Sequence, residues 1–267
     1  MWEASAHMVK VHVLDTGRVK AHRRQVDPHP RDGLRLLATL ADRQWTEWLP
    51  VWSFAIEHGD GLVVVDAGQD PDFVSPRWDI YLRLAVRFDV NDADRLDARL
   101  RGAGLDPGGV RHHVFTHLHV DHVGAGPLPG ANVILNANEW RAGTARGARL
   151  RGYHRPGIDN PQTVDGDYDL YGDGSIRLLA TPGHTAGHQS VLVAASDGPR
   201  VLIAGDAVYS EAALVTRTID GVSMDPDRAR ASIDRLREIC REAPTVVAPT
   251  HDTSAAQRVA SGQVTTL

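Results

Sequence analysis

Thr116-His117-Leu118-His119-Val120-Asp121-His122 ends the stretch that begins at Val110 and precedes a turn carrying Gly124 and Gly126. Val110 to Thr116 reads as a short strand, so the four ligand-type side chains of 117–122 leave the end of a strand and enter a turn. His117 and His119 are two residues apart. In extended backbone their rings leave on the same side and can grip one ion. Asp121 and His122 come where the chain bends, so they can face a second ion nearby. The plain alternative is a scatter of surface histidines, and this spacing argues against it.

Three further residues extend the pattern downstream. His184 lies in the tight turn Thr181-Pro182-Gly183-His184-Thr185, directly after a strand ending at Ala180. Asp206 follows the run Val201 to Gly205, and His251 follows Thr245 to Thr250. All are ligand types at the C-terminal ends of strands, where sites in α/β proteins collect. Five histidines and two aspartates suit two borderline divalent ions such as zinc, with one carboxylate able to bridge them. Cys240 is the only cysteine, which excludes a thiolate zinc cluster and an intramolecular disulfide.

The rest of the chain alternates short apolar runs with turns and helices. Val9, Val11 and Val13 predict a half-buried strand that turns at Asp15-Thr16-Gly17, and Lys20 to Asp32 reads as an exposed loop over a site. Trp52 to Glu57 and Leu62 to Val65 predict a hairpin running into Asp66-Ala67-Gly68. The irregular stretch between Asp70 and Asn91 carries Phe73, Trp78, Tyr81 and Phe88, for which packing is favoured over a substrate wall. Ala93, Leu96, Leu100 and Ala103 predict a helix ending at Gly104. Asp225-Pro226 predicts the cap of another, with Ala229, Ile233, Leu236 and Cys240 as its buried stripe. Leu62 to Gly68 and Val201 to Ala207 faintly repeat one another, each a valine-rich run delivering an aspartate. His112 and His113 read as core or solvent-facing residues, and His188 as support for the turn at His184. No linker is evident, so a single α/β domain over residues 1–267 is expected.

Composition bounds the function. A chain of 267 residues, 42% hydrophobic and 24% charged, is that of an ordinary globular protein. Its formal charge of -5, without a basic run, offers no footprint for nucleic acid. No apolar run approaches the ~20 residues that span a bilayer, and Met1 to His7 lacks the apolar core of a signal peptide. No membrane partner and a cytoplasmic location are therefore expected. The glycine pair at 124 and 126 lacks the third glycine of a dinucleotide site, and no G-x-S-x-G nucleophile elbow occurs.

The order His117, His119, Asp121, His122, then His184, Asp206 and His251 resembles the metallo-β-lactamase superfamily over nearly the whole chain from about Val9. The resemblance implies an αββα sandwich, two mixed sheets flanked by helices, with the metals at one edge. It also implies that His117, His119 and His184 hold one ion and that Asp121, His122 and His251 hold the other. Asp206 and a hydroxide would bridge them, and Asp66 would support the site without ligating. An aspartate at 206, where zinc-cysteine β-lactamases have cysteine, argues against that activity.

Within the superfamily the chain is most similar to N-acyl-homoserine lactone lactonases. Leu49-Pro50-Val51-Trp52, Thr181 to Ser190, Gly205-Asp206-Ala207-Val208-Tyr209 and Thr250-His251-Asp252 carry that similarity. It implies ring opening of an acyl lactone by attack of the hydroxide that bridges two divalent ions, zinc by preference. Tyr209 would touch the lactone carbonyl and Asp121 would shuttle the proton. One departure is Val120, where several relatives have phenylalanine. Trp45, Trp48, Trp78, Tyr81 and Val120 are the candidates for the acyl-chain wall. Rival readings are a glyoxalase II-like thioesterase, a broad lactonase, esterase or phosphotriesterase, and an iron-dependent oxidoreductase. A homodimer is kept as an admissible assembly.

Overall fold

The computed structural model describes residues 9–28, 30–73, 79–196 and 198–267. A first sheet has the order β4-β1-β2-β3-β5-β6-β7. Its strands are β1 (Lys10–Ala21), β2 (Leu49–Glu57), β3 (Leu62–Val65), β4 (Val86–Asp89), β5 (Val110–Val114), β6 (Asn132–Asn136) and β7 (Gln162–Val164). A second sheet, in the order β12-β11-β10-β9-β8, contains β8 (Tyr168–Asp169), β9 (Ile176–Ala180), β10 (Gln189–Val193), β11 (Arg200–Gly205) and β12 (Thr245–Pro249). Both are mixed. β4, β1, β2 and β3 pair antiparallel in succession while β3, β5, β6 and β7 pair parallel, and β11 pairs parallel with β12 and antiparallel with β10.

The period of two along each strand explains the layering. Phe54, Ile56, Val63 and Val65 from the first sheet share one buried cluster with Ile176, Leu178, Val191, Val193, Val201 and Ile203 from the second. Their immediate neighbours along each strand point the other way. Ala55 and Val64 join Leu96, Leu100, Leu118 and Leu135 on the outside of the first sheet. Leu179, Leu192 and Leu202 join Ile233, Leu236 and Cys240 on the outside of the second. Two sheets apolar on both faces must be covered on both, which gives the αββα sandwich that the family resemblance implied. Each such Val, Leu or Ile contributes about 1.5–3 kcal/mol by leaving water.

The outer layers are short helices and one long one. They are α1 (Arg23–Val26), α2 (Arg35–Ala41), α3 (Ile80–Ala85), α4 (Leu96–Gly102), α5 (Val120–Val123), α6 (Ala137–Thr144), α7 (Glu211–Thr216), α8 (Pro226–Glu242) and α9 (Ala255–Ser261). α8 begins as expected, with the Asp225 carboxylate accepting from Arg228 N and proline in the first turn, and it buries Ala229, Ile233, Leu236 and Cys240. Burial raises the Cys240 thiol to about 11, so it is a core residue without thiolate character at neutral pH.

Two local expectations are corrected. Asp15-Thr16-Gly17 is a bulge rather than a turn, because β2 pairs with β1 from Lys10↔Glu57 to Val19↔Leu49 and the register merely skips between Asp15 and Arg18. The local signal was real, since Asp15 accepts a hydrogen bond from Gly17 N, but the long ladder overrides it. Lys20 to Asp32 is also more ordered than an exposed loop. β1 continues to Ala21, α1 follows, and Gly221 N donates to Gln25 O at 2.7 Å. A Cβ on Gly221 would lie 2.2 Å from Arg24 O, so this close approach requires glycine.

His113 is fully buried, and its ring is matched to one neutral tautomer. Nε2 donates to Asp66 O at 3.3 Å, while Nδ1 accepts from Leu128 N at 3.2 Å. Burial pushes its pKa down to about 4. Below pH 6.5 the unfolded chain therefore takes up a proton that the native chain refuses. The stability tied to this group is full above that pH and falls as pH drops toward 4, by about 3 kcal/mol in total. His113→Gln, which does not titrate, should lose that much less stability than the parent between pH 7 and 4 in parallel urea titrations. Identical pH dependence in the two proteins would show that His113 is not held neutral.

Candidate metal centre

Asp66 ends β3 with a left-handed backbone (φ 60°), which swings its carboxylate across to the next strand. There Oδ1 accepts from Thr116 N at 2.7 Å and Oδ2 accepts from Thr116 Oγ1 at 2.8 Å and from His122 Nδ1 at 2.8 Å. His119 then caps α5, which places Asp121 and His122 in its first turn. Gly124 closes the element with φ 51°, where a Cβ would sit 2.9 Å from Ala67 O. The segment read first in the sequence is thus folded around an aspartate contributed by β3.

Four of the five histidines engage Nδ1 outward and turn Nε2 inward, whereas His119 turns Nδ1 inward, 3.0 Å from His184 Nε2. His122 Nδ1 bonds Asp66, His184 Nδ1 donates to Asp220 Oδ2 at 3.0 Å, and His251 Nδ1 donates to Pro50 O at 2.9 Å. His117 Nδ1 lies 3.1 Å from Thr116 Oγ1, whose own proton goes to Asp66. The tautomer that donates from Nδ1 leaves Nε2 as a bare lone pair, the state a metal ligand needs. His117 Nε2, His122 Nε2 and Asp206 Oδ1 are buried without a hydrogen-bond partner among the described residues. Such orphaned acceptors cost free energy unless a cation takes them up.

The inward atoms form overlapping groups. His117, His119 and His184 make one; Asp121, His122 and His251 make another; in each the ligand atoms lie within 4.8 Å of one another. Asp206 stands between them. Its Oδ2 is 3.4 Å from His184 Nε2, and its Oδ1 is 3.3 Å from His122 Nε2 and 3.4 Å from His251 Nε2. One oxygen faces each group. All seven residues singled out in the sequence are brought together here, and nitrogen and oxygen donors in this number fit two divalent ions.

Electrostatics follow from burial and crowding. Burial opposes ionisation of Asp206, yet His251 and His122 hold its carboxyl well below the ordinary range. Burial and the neighbouring rings hold His117 and His119 well below the usual imidazole value. For His122 burial works in the same sense, but Asp206 and Asp66 outweigh it and raise the ring. Tyr209, buried over the site, has its phenol raised well above 10 by burial and by Asp206 and Asp220. It stays protonated and able to donate.

A cavity of about 940 Å³ opens above the cluster, with His119, Asp121, Asp206, Tyr209 and His251 facing into it. Val120 and Tyr81 also face it, as the sequence reading allowed. Trp45 and Trp48 do not: Trp45 packs edge-on to His22 beneath Arg87, and Trp48 stands 37% exposed near Lys20. Trp78 lies outside the described residues. The apolar wall is instead Val19, Leu40, Leu49, Leu82 and Phe88. The stretch from 79 to 91 therefore packs and lines at once.

Three supports escaped the sequence reading. Asp220 orients His184, and the Arg35 guanidinium, 4% exposed, donates to Asp220 O and Ser223 O. Glu139, fully buried in α6, accepts from Leu118 N at 3.0 Å, Thr185 Oγ1 at 2.8 Å and Gly187 N at 2.8 Å, tying both ligand turns to one carboxylate. Spacing gives no signal for any of them. His188, read as support for the His184 turn, accepts from Asp206 N at 3.0 Å and bonds Thr181 Oγ1 at 2.9 Å.

Comparison with known proteins agrees with this geometry. Residues 46–251 match the metallo-beta-lactamase superfamily. The chain is 29% identical over 260 residues to the N-acyl homoserine lactonase AttM of Rhizobium radiobacter, covering 92% of this chain and 94% of that protein. It is 27% identical over 208 residues to an N-acyl homoserine lactonase of Bacillus thuringiensis, covering 76% and 82%. Its fold is that of an N-acyl homoserine lactone hydrolase solved with N-hexanoyl-L-homoserine at the catalytic metal centre, with a TM-score of 0.78 at 24% identity and coverage of 94% and 96%. By its strand order, its paired candidate ligand groups and the length of that match, the chain belongs to the metallo-beta-lactamase superfamily, with buried histidine and aspartate groups placed as candidate metal ligands.

Proposed function

We propose that this chain, as a single domain over residues 1–267, hydrolyses the ring ester of N-acyl-homoserine lactones. The observation that carries the reading is the cavity. A protonated phenol and a carboxylate line the cavity beside the ligand cluster, and Val19, Leu40, Leu49, Leu82 and Phe88 give the same cavity an apolar wall. The names of the relatives at 27–29% identity support the substrate class.

His117, His119 and His184 would hold one divalent ion and Asp121, His122 and His251 the other, with Asp206 between. Zinc ions held there would supply Lewis acidity toward the ester carbonyl and a water. Tyr209 donates its hydroxyl proton to the carbonyl oxygen as negative charge develops. Asp121, 3.6 Å from His251 Nε2 and open to the cavity, takes the proton of the attacking water and returns it to the departing alkoxide. Val19, Leu40 and Leu82 exclude water from the acyl chain.

A pH-indicator assay across homoserine lactones of increasing acyl length, a thioester and a phosphotriester tests this. Lactone kcat/KM should exceed the other two by more than an order of magnitude, since the phenol and the apolar wall are placed for one substrate shape. A thioester or phosphotriester in first place would overturn the lactonase reading.

A further inference from the structure

Tyr209 does not stand alone over the cluster. Among the described residues its hydroxyl has one hydrogen-bond partner, the Gln25 side chain, whose Nε2 donates to it at 2.9 Å. The other end of that amide is also engaged, because the Tyr81 hydroxyl donates to Gln25 Oε1. An amide is planar and has one oxygen. Once Tyr81 occupies that oxygen, the NH₂ group must face Tyr209.

We infer that Gln25 is a positioning residue for the hydrolysis, holding the Tyr209 hydroxyl by its oxygen so that its proton is left for the substrate carbonyl. The inference rests on the reading of Tyr209 as the carbonyl's donor. A phenol that receives a hydrogen bond on oxygen cannot direct its own hydrogen back along that bond. Accepting one also polarises the O–H and strengthens the bond it donates. Both phenols remain protonated, because burial first and nearby carboxylates second raise Tyr81 and Tyr209 well above 10.

The backbone of Gln25 is anchored as firmly as its side chain. Gln25 N donates to His22 O at 2.9 Å, and Gln25 O accepts from Gly221 N at the close contact where a side chain at 221 has no room. α1 and the Asp220 loop are therefore tied to each other through their backbones. The residue that aims Tyr209 comes from the N-terminal end of the fold, 184 positions away in sequence.

The test is a mutant cycle on the metal-loaded enzyme with homoserine lactone as substrate. Gln25→Met, similar in length but without donor or acceptor, should lower kcat about three- to tenfold, the worth of one hydrogen bond, with KM and metal content little changed. In a Tyr209→Phe background the same substitution should change nothing further. Gln25→Glu should be slower than Gln25→Met despite its better fit, because a carboxylate accepts the Tyr209 proton instead of releasing it. Should either variant fold poorly, Tyr81→Phe removes only a hydroxyl and should give a smaller kcat loss that also vanishes in Tyr209→Phe. Additive losses in the double variants, or Gln25→Glu matching the parent, would overturn the inference. Tyr209→Phe slowing the enzyme while Gln25→Met does not would also overturn it and leave the role of Tyr209 standing. A harmless Tyr209→Phe would instead remove the reading beneath it.

Discussion

Asp206→Ala is expected to lose bound metal and activity together. Each oxygen of this carboxylate faces a different ligand group, so its removal leaves His122, His184 and His251 without the anion that they share. Elemental analysis should fall from about two ions per chain to about one or none. Lactone hydrolysis should fall by more than about a thousandfold, since several kcal/mol of transition-state stabilisation leaves with the ions. His112→Ala is the control. That ring, in the middle of β5, is only partly buried, near Asn132 and edge-on to Tyr171. It should cost neither metal nor rate, and a more damaging His112→Ala would mean that the ligands have been misassigned.

Tyr209→Phe should separate the chemistry from the metal. The substitution keeps the ring that packs 5.1 Å from His251 and removes only the hydroxyl. Metal content should stay at the parental level. If the hydroxyl donates to the carbonyl as charge develops, kcat should drop by roughly tenfold to a thousandfold, the upper end being typical of an oxyanion donor. The lower end applies where other groups share that charge. Because the interaction strengthens in the transition state, KM should change little. Parental kinetics in a fully loaded variant would reduce Tyr209 to a packing residue and leave the substrate undefined.

The parts of this molecule that were legible in its sequence are those whose cause is local. The short apolar runs Leu62 to Val65 and Val201 to Ala204 read as strands, and strand geometry then places alternate residues on opposite faces of a sheet. Asp225-Pro226 caps a helix whatever surrounds it. The seven ligand candidates were visible because strand ends carry them and two-residue spacing has a geometric meaning. Other features depend on partners far along the chain, which spacing does not encode. Asp15-Thr16-Gly17 is turn-like in isolation, and only the ladder with β2 makes it a bulge. Glu139 gives no sign that it will accept from residues near 118 and 187. Gln25 sits in a polar, charged stretch whose composition suggested solvent, yet its amide meets Tyr81 and Tyr209. Trp45 and Trp48 misled for the opposite reason: aromatic content implies contact without saying with what.

The ligands and the cavity wall come from different parts of the architecture. Every candidate ligand hangs at or just beyond a strand end or in α5, braced by backbone or by buried carboxylates. Much of the wall comes instead from β1 and α2, from α3 and β4, and from the loop around 221–224. Inheritance can therefore act on the two separately. Substitutions at Leu40, Leu82 or Phe88 alter what fits without disturbing what reacts, so descendants of one ancestor can diverge in diet while keeping a common engine. Asp220 is one place where that independence ends, because Arg35, a wall residue, also grips the loop that steadies His184, and the Tyr81–Gln25–Tyr209 chain is another. Lineages that change α2 should be found to change at 220–223 as well.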